Sequence, residues 1–288
     1  MIAYFNGQFI PKEKINISPD DRGFLFADGA YEVICSYEGR LFKAEEHLER
    51  LKRSLNELRI AGPSLTSIKT IAEKLIQRND LAANHATIYI QITRGVATRK
   101  HAFPDKGTAP TVYVSASLFQ PLLEEREKGV AIVLLPDIRW KRCDIKSVAL
   151  LPNVLACQQA KERRAAEAVF VRDGVITEGS HTNFCAVFDG QIVTHPANNH
   201  ILAGITRKVV LDLCGKLDIP FRESPIFEKA LKKASELMIL GTTYEILPVF
   251  QVDDRKVGDG RPGPITKALQ QAYRDVVVGF QLNVSSEA

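Results

Sequence analysis

Alternating apolar and polar residues predict several strands in the first half of the chain. Asn6-Gly7 separates two short apolar runs and is typical of a tight hairpin turn. The segments 86–94 (ATIYIQITR) and 111–117 (TVYVSAS) alternate and are rich in β-branched and aromatic residues, which favours strands. Apolar residues recur at helical spacing over 44–60, and a second helix is expected over 65–77. The pattern of the first half therefore predicts an α+β arrangement.

The second half of the chain predicts further strands and helices after a break in the pattern. The stretch 120–129 (QPLLEEREKG) is charged and contains proline, which favours a linker. We therefore expect a first domain at 1–120, a linker at 121–126 and a second domain at 127–288. The elements expected after the linker are a strand at 130–135, a helix at 152–166, two strand pairs turning at Asp173-Gly174 and Asp189-Gly190, and helices at 205–217 and from 264 to about 278.

The composition excludes several classes of protein. The chain has 288 residues, 45% apolar and 25% charged, which suits one large or two ordinary globular domains. Its net charge of +4 comes from scattered residues, so we expect no nucleic-acid partner. No signal-peptide pattern and no run of about 18 apolar residues is visible, so we expect no membrane association and a cytoplasmic location. The five cysteines are odd in number and lack C-x-x-C spacing, so we expect neither a disulfide framework nor a metal site.

Lys146 is the first candidate for chemistry. It stands in DIKSVALLPN, directly before the apolar residues 148–151. Burying an amine without a partner costs several kcal/mol and drives the group to lose its proton. The residue is therefore either at the surface or retained for a task that uses its amine.

Three later segments contain groups that suit an anionic ligand. Glu178 lies in a turn rich in small and hydroxylic residues, TEGSHTNF. In LAGITR, Gly204 and Thr206 open a predicted helix, whose free N–H groups and dipole favour an anion such as phosphate. Thr242 and Thr243 follow the predicted strand ELMIL. Each feature alone is also typical of ordinary turns and helix caps.

Taken together, these segments resemble a known family over essentially the whole chain. The motifs are DRGFLFADGAYE (21–32), HLERL (47–51), DIKS, TEGSHTNF, ILAGITR and GTTYEILPV. They are similar to those of the fold-type IV pyridoxal-phosphate enzymes, which include branched-chain aminotransferases, D-amino-acid aminotransferases and aminodeoxychorismate lyase. The resemblance implies a two-domain fold of the α+β or α/β class, with pyridoxal 5'-phosphate (PLP) at the domain interface.

The resemblance also implies a role for each candidate residue. Lys146 would form the Schiff base with PLP, and Glu178 would keep the pyridine nitrogen protonated so that the ring accepts electrons. Arg50 would bind the phosphate through its planar fork, although alone it also suits a surface salt bridge. The other implied phosphate ligands are Gly204, Ile205 and Thr206, with Thr242 or Thr243. Relatives often have a hydroxyl residue where this chain has Gly241, so the resemblance leaves the division between the two threonines open.

The stretch TRGVATRKHAFP (93–104) suggests the substrate. If this segment is extended, Arg99 and His101 point to the same side and form a cationic pair suited to a carboxylate, although a polar loop also fits. Within the family, RG followed by R-x-H-x-F-P resembles the D-amino-acid aminotransferases, in which Tyr, Arg and His hold the α-carboxylate. Tyr31 occupies the matching tyrosine position. The resemblance further implies a homodimer whose subunits share the active site.

Three functions follow as alternatives. The first is ping-pong transfer of the amino group of a D-amino acid, such as D-alanine or D-glutamate, to 2-oxoglutarate or pyruvate. The second stays within PLP chemistry and comprises branched-chain L-amino-acid or (R)-amine transamination, or elimination of pyruvate by an aminodeoxychorismate lyase. The third is a non-catalytic cofactor-binding protein, which the sequence disfavours because Lys146 and Glu178 are both present and a binder needs no electron sink. The sequence favours the first.

Overall fold

The computed structural model describes residues 1–105 and 107–282 and divides the chain into two compact units. The first unit consists of Met1–Gln120 and Ile145–Leu150, and the second consists of Pro121–Asp144 with the residues from Leu151 onward. Each unit combines helices with its own sheet and its own apolar core. The chain thus has a two-unit α+β organisation.

The boundary between the units differs in two ways from the expected one. Residues 121–126, expected as a linker, begin the second unit, and most of them lie in a helix that spans Leu123–Lys128. Lys146, expected in the second domain, groups with the first unit. The reason is backbone pairing, because the Tyr31 N–H donates to the Lys146 carbonyl at 3.0 Å. Pairing between segments this far apart in the chain cannot be predicted from the local sequence pattern.

The first unit contains an antiparallel sheet of six strands among the described residues. The strands are β1 (Ile2–Phe5), β2 (Gln8–Pro11), β3 (Gly29–Tyr37), β4 (Arg40–Leu41), β5 (Ala86–Thr93) and β6 (Thr111–Leu118), in the order β2-β1-β6-β5-β3-β4. The helices are α1 (Arg22–Phe26), α2 (Ala44–Glu57) and α3 (Leu65–Arg78), with a 3-10 helix at Lys12–Lys14. Apolar residues of α2 and α3 pack with those of the sheet into one core.

Most expected elements of this unit are confirmed. The β1–β2 hairpin turns at Asn6 and Gly7, both at positive φ (43° and 95°), as a tight primed turn requires. Helix α2 ends at Glu57 instead of residue 60, because Arg59 adopts a left-handed conformation at φ 54°. Strand β3 was not expected. Its residues are buried or half-buried along the whole strand, so its sequence lacks the alternation of a strand with one exposed face.

The second unit contains a larger mixed sheet. Its strands are β7 (Val130–Pro136), β8 (Glu167–Arg172), β9 (Val175–Gly179), β10 (Asn183–Phe188), β11 (Gln191–Thr194), β12 (Phe221–Glu223), β13 (Ile226–Phe227), β14 (Glu236–Gly241), β15 (Glu245–Val252) and β16 (Arg255–Lys256). Among described residues their order is β12-β11-β10-β14-β15-β7-β8-β9-β13, with β16 paired to β15. The helices are α4 (Leu123–Lys128), α5 (Leu151–Glu162), α6 (Ile205–Lys216) and α7 (Pro264–Leu282), with a 3-10 helix at Glu228–Lys233.

The turns of this unit confirm the expected strand pairs. The β8–β9 pair turns at Asp173-Gly174 and the β10–β11 pair at Asp189-Gly190, and all four residues have positive φ. Helix α5 ends at Glu162, before the expected residue 166, because Arg164 is left-handed at φ 58°. Helix α7 continues beyond the expected end and reaches Leu282. Across the described residues, none of the helices combines the length and hydropathy needed to span a bilayer.

Candidate active site

Lys146 lies beside Tyr31 in the first unit. The segment around Lys146 runs along the start of β3, and the Lys146 N–H donates to Ser54 Oγ at 3.1 Å. The Lys146 Nζ lies 4.3 Å from the centroid of the Tyr31 ring. Tyr31 also stacks on Tyr89, with ring centroids 5.8 Å apart. The structure therefore brings together the expected cofactor lysine and the expected substrate-binding tyrosine.

Arg50 is buried on the inner face of α2 and is held by Glu32. Its Nε and Nη2 donate to the two carboxylate oxygens of Glu32 at 2.9 and 2.7 Å. His47 Nδ1 lies 3.1 Å from Glu32 Oε1. Complete burial opposes ionisation of Glu32, but Arg50 and His47 outweigh it and hold the pKa of this carboxyl well below its usual range. The pair fixes the orientation of the Arg50 guanidinium.

His47 completes this cluster as a neutral donor. Burial lowers the pKa of the His47 imidazole, and the neighbouring Glu32 carboxylate offsets this only in part. Its Nδ1–H therefore donates to Glu32 near neutral pH, since the carboxylate can only accept. Neither Glu32 nor His47 was among the functional residues predicted from the sequence. The spacing of His47 and Arg50 by three residues on the buried stripe of α2 was a signal that could have identified the cluster.

Arg99 and His101 lie together in the loop between β5 and β6. Both side chains are exposed, and both contact the Phe26 ring, with the Arg99 Cζ at 5.2 Å and the His101 ring at 5.4 Å from its centroid. The loop bends at both residues and is not the extended segment that the sequence suggested. The two side chains nevertheless lie on the same side of the loop, against Phe26. Tyr31 was expected to bind the same carboxylate as these two residues. Among the described contacts within one chain, it lies with Lys146 and not with Arg99 and His101.

Glu178 is a buried carboxylate at the end of β9 in the second unit. It accepts hydrogen bonds from Arg139 Nη1 at 2.6 Å, Asn183 Nδ2 at 3.1 Å and the Leu202 N–H at 3.0 Å. Three such donors stabilise the ionised form of a carboxylate. Glu178 is therefore more than an ordinary turn residue, because it is 5% exposed and its orientation is fixed by these hydrogen bonds.

Arg139 orients Glu178 and was missed by sequence analysis. Its Nε donates to Asp137 Oδ1 and its Nη2 to Asp137 Oδ2, both at 2.9 Å, so the guanidinium bridges two carboxylates. Burial opposes its charge, but Glu178 and Asp137 raise the pKa of the guanidinium above its usual range. Its Cζ also lies 4.4 Å from the centroid of the Phe170 ring. The alternation of Asp137 and Arg139 after β7 was the available signal.

The start of α6 has the form of an anion site. Gly204 is the N-cap residue, and no side chain among the described residues caps the helix. The N–H groups of the first helical turn, which includes Ile205 and Thr206, point out of the helix and carry its positive dipole end. A Cβ on Gly204 would overlap Asn183 Oδ1. Only glycine therefore allows the chain to approach Asn183 this closely.

Asn183 connects Glu178, α6 and the threonine turn within the second unit. Its Nδ2 donates to Glu178 and to the Leu202 carbonyl, and its backbone pairs with Leu240 near the end of β14. The two threonines follow in the half-buried turn between β14 and β15. The expected cofactor ligands of the second unit thus lie on segments that adjoin Asn183, namely the end of β9, the start of α6 and the turn that follows β14. These ligands are Glu178, Gly204, Ile205, Thr206, Thr242 and Thr243.

Comparisons with known proteins find relatives over nearly the whole chain. A family model described as amino-transferase class IV matches residues 29–252. A D-alanine aminotransferase from Staphylococcus haemolyticus is 40% identical over 276 residues, which cover 96% of this chain and 97% of that protein. A D-alanine aminotransferase from Bacillus licheniformis is 38% identical over 279 residues, covering 96% and 98% respectively.

Solved structures of similar fold include two branched-chain aminotransferases. The enzyme from Escherichia coli superposes with a TM-score of 0.88 at 27% identity, over 95% of this chain and 93% of that one. The enzyme from the archaeon Thermoproteus uzoniensis, solved with norvaline, gives a TM-score of 0.83 at 25% identity, over 97% and 95%. The fold thus agrees over nearly the whole length of both chains.

Proposed function

Since the chain belongs to the amino-transferase class IV family, we propose that it transfers the amino group of a D-amino acid to an α-keto acid with PLP as cofactor. The fold is that of the fold-type IV enzymes. The observation that carries the D-amino-acid substrate is the pair Arg99 and His101, held on one side of a loop by Phe26. The similarity to D-alanine aminotransferases over nearly the full length supports the same substrate class.

The donor set of the chain fits PLP. The cofactor has an aldehyde, a pyridine nitrogen and a phosphate, which require an amine, a carboxylate and an anion site respectively. The chain offers Lys146, the buried Glu178, and the start of α6, where no side chain in the described part of the chain caps the helix. When bound, PLP supplies an electron sink for the carbanion at the substrate Cα.

Lys146 would hold the cofactor through its Nζ and move a proton. A single amine can both take up and deliver a proton, and the Lys146 Nζ would accept the proton of the substrate Cα and hold it for its return. Lys146 is half-buried, and its Nζ lies 4.3 Å from the centroid of the Tyr31 ring, which limits the orientations of the amine.

Glu178 would accept a hydrogen bond from the protonated pyridine nitrogen. Its three donors keep the carboxylate ionised, and Arg139 fixes its orientation at 2.6 Å. A charged acceptor at this nitrogen keeps the proton on it, which is the condition for the electron sink.

The phosphate would be bound at the start of α6. The N–H groups of Ile205 and Thr206 and the hydroxyls of Thr242 or Thr243 suit its oxygens. Arg50 would contribute charge, with its fork already fixed by Glu32. Both Arg50 and Glu32 are buried, so the arginine side chain is already ordered before the anion binds. Binding would therefore avoid the entropy cost of ordering it.

Arg99, His101 and Tyr31 would bind the substrate α-carboxylate. An arginine fork matches a carboxylate in geometry and charge, and the imidazole adds a second donor. A branched-chain or (R)-amine substrate is the second candidate, favoured by the structural similarity to branched-chain aminotransferases. That similarity comes with lower sequence identity than the similarity to D-alanine aminotransferases.

The test is a donor panel with the purified holoenzyme. D-alanine with 2-oxoglutarate should yield pyruvate and D-glutamate, and L-leucine should react at least about 100-fold more slowly in kcat/KM, a difference of roughly 2.7 kcal/mol. Faster turnover of L-leucine than of D-alanine would overturn the proposal in favour of the branched-chain activity. Release of pyruvate from aminodeoxychorismate without an amino acceptor would favour the lyase.

We also propose that the enzyme is a cytoplasmic homodimer. Exposed apolar side chains at Leu151, Val154 and Leu155 form one face of α5 at helical spacing, and a second copy of the chain would cover them. The free thiols of Cys185 and Cys214 suit a reducing compartment. Analytical ultracentrifugation should give twice the mass of one 32.0 kDa chain, and Leu155→Glu should shift the distribution towards monomer.

A further inference from the structure

The loop that carries Arg99 and His101 is fastened to the rest of the first unit by a buried arginine. Arg22 is 3% exposed, and its Nη1 donates to the Lys100 carbonyl at 2.6 Å and to the Ala102 carbonyl at 3.4 Å. Lys100 precedes His101 and Ala102 follows it. Arg22 therefore holds the backbone on both sides of His101.

Arg22 is itself held in place by an acid. Its Nε donates to Asp28 Oδ2 at 2.8 Å. Asp28 also accepts from Arg94, whose Nε and Nη2 lie 2.7 and 2.9 Å from its two oxygens. The Arg94 Cζ in turn lies 3.7 Å from the centroid of the Phe103 ring, further along the same loop. One carboxylate thus orients the two arginines that contact the loop.

Phe26 contacts the exposed side chains of both Arg99 and His101. Its ring centroid lies 4.8 Å from the Arg22 Cζ, 5.2 Å from the Arg99 Cζ and 5.4 Å from the His101 ring. Arginine over an aromatic face is an attractive arrangement. An exposed arginine otherwise samples many rotamers, and ordering them on binding costs free energy. Contact with Phe26 restricts that freedom before any ligand arrives.

We propose that Arg22 is a positioning residue for the substrate α-carboxylate, acting through Arg99 and His101 with Phe26 as their common support. The inference rests on the proposed function, in which the latter pair binds the carboxylate. Arg22 is too deeply buried to meet the substrate, so its effect passes through the loop. It determines how well the loop is ordered and leaves the groups assigned to PLP unchanged.

The test is a double-mutant cycle on the holoenzyme with D-alanine and 2-oxoglutarate. Its four members are the wild type, Arg22→Met, Arg99→Ala and the double variant. Arg22→Met should raise KM for D-alanine about tenfold with kcat near the wild-type value, the pattern of weakened ground-state binding. If Arg22 acts through Arg99, the double variant should be no worse than Arg99→Ala alone. Additive losses, or an equal weakening of PLP binding, would overturn the inference.

Two further variants keep the test decisive. Phe26→Leu removes the aromatic support without burying a charge, and it should raise KM in the same direction; an unchanged KM contradicts the proposal even if Arg22→Met does not fold. Arg22→Lys keeps the charge at Asp28 and should recover part of the loss. The matched control is Arg78→Met, because the Arg78 Cζ lies 4.2 Å from the centroid of the Phe9 ring, elsewhere in the first unit. It should leave KM unchanged.

The outcomes separate this inference from the proposed function. A normal KM for D-alanine in Arg99→Ala would reject the carboxylate assignment and the role of Arg22 together. A raised KM in Arg99→Ala, with normal values in Arg22→Met and Phe26→Leu, would reject the role of Arg22 alone and leave the assignment of Arg99 standing.

Discussion

Arg139 Nη1 lies 2.6 Å from Glu178 Oε1, while the Nε and Nη2 of the same guanidinium bind Asp137. The arginine therefore works as a fixed bridge between two carboxylates, and Glu178 has little freedom to turn away. If Glu178 serves the pyridine nitrogen, its orientation matters as much as its charge, because reacting groups must be placed accurately.

Arg139→Lys should keep PLP bound and lower kcat for D-alanine by about 10- to 100-fold, the cost of a misplaced group at a reaction centre. Lysine keeps a positive charge but cannot bind both carboxylates as a planar fork does. The measurement is steady-state kcat together with the absorbance of the bound cofactor. Wild-type kcat in Arg139→Lys would mean that the other donors to Glu178 are sufficient.

Lys146→Ala should give a folded protein that binds PLP non-covalently and turns over roughly 10⁴-fold more slowly. Both the attachment of the cofactor and the proton transfer depend on the Nζ, so both fail together. The spectrum of the bound cofactor and its release on dialysis report the first effect. Lys141→Ala removes an exposed lysine nearby in sequence and serves as the control, with normal activity. Activity in Lys146→Ala without added amine would refute the assignment.

The sequence predicted the local features of this fold better than the long-range ones. The hairpin turns at Asp173-Gly174 and Asp189-Gly190 were predicted because turn chemistry is local. Strand β3 was missed because it is covered on both faces. The ends of α2 and α5 depend on left-handed arginines, Arg59 and Arg164, which lack the usual glycine signal.

The residues of the candidate site also divide into those that local sequence motifs indicate and those that depend on long-range contacts. Lys146, Glu178 and the start of α6 belong to short motifs and could be singled out from the sequence. Glu32, Arg139 and Arg22 were not identified, because their roles come from partners that lie 18, 39 and 78 residues away in the chain, and the local signals do not show those partners. Such partnerships are created by the tertiary fold, and single-sequence patterns do not specify them.

Arg99→Ala should weaken the apparent binding of D-alanine and of the keto acid by about 2–4 kcal/mol. This is the scale for loss of one partner of a desolvated charge pair. An (R)-amine has no carboxylate and should lose much less. His101→Ala should show the same pattern more weakly, since an imidazole offers a carboxylate one donor where the arginine fork offers two. The measurement is kcat/KM for both donors. Equal losses for D-alanine and the amine would mean that Arg99 only supports its loop.

Gly204→Ala should weaken PLP binding, because the added Cβ would overlap Asn183 Oδ1 and force that side chain to move. Asn183 donates to Glu178 and to the Leu202 carbonyl, and each lost hydrogen bond costs about 1–3 kcal/mol when its partner stays buried. Gly215→Ala is the matched control within α6, since a Cβ there meets none of the described residues within 4 Å. It should leave PLP affinity unchanged and raise stability by about 0.5–1 kcal/mol. Equal PLP affinities in both variants would contradict the close approach.

Glu32→Gln should destabilise the protein most at neutral pH. The folded-state pKa of Glu32 is lowered from its ordinary 4.5, so its carboxylate contributes stability that is fully present above that value. The contribution is lost as the pH falls below 4.5 towards the lower folded-state pKa. Removing the charge takes the Glu32 carboxylate away from the buried Arg50 guanidinium, at a cost of about 3–5 kcal/mol.

Urea denaturation of the wild type and Glu32→Gln, compared at neutral pH and in acid, measures this difference. The gap in the free energy of unfolding should narrow as the pH falls below 4.5, because the wild type then loses the contribution that the variant already lacks. Glu124→Gln is the control: Glu124 pairs with Lys128 at 2.7 Å on the exposed surface, where such pairs contribute little. A gap that stayed constant with pH would show that the stability of the cluster does not depend on the charge of Glu32.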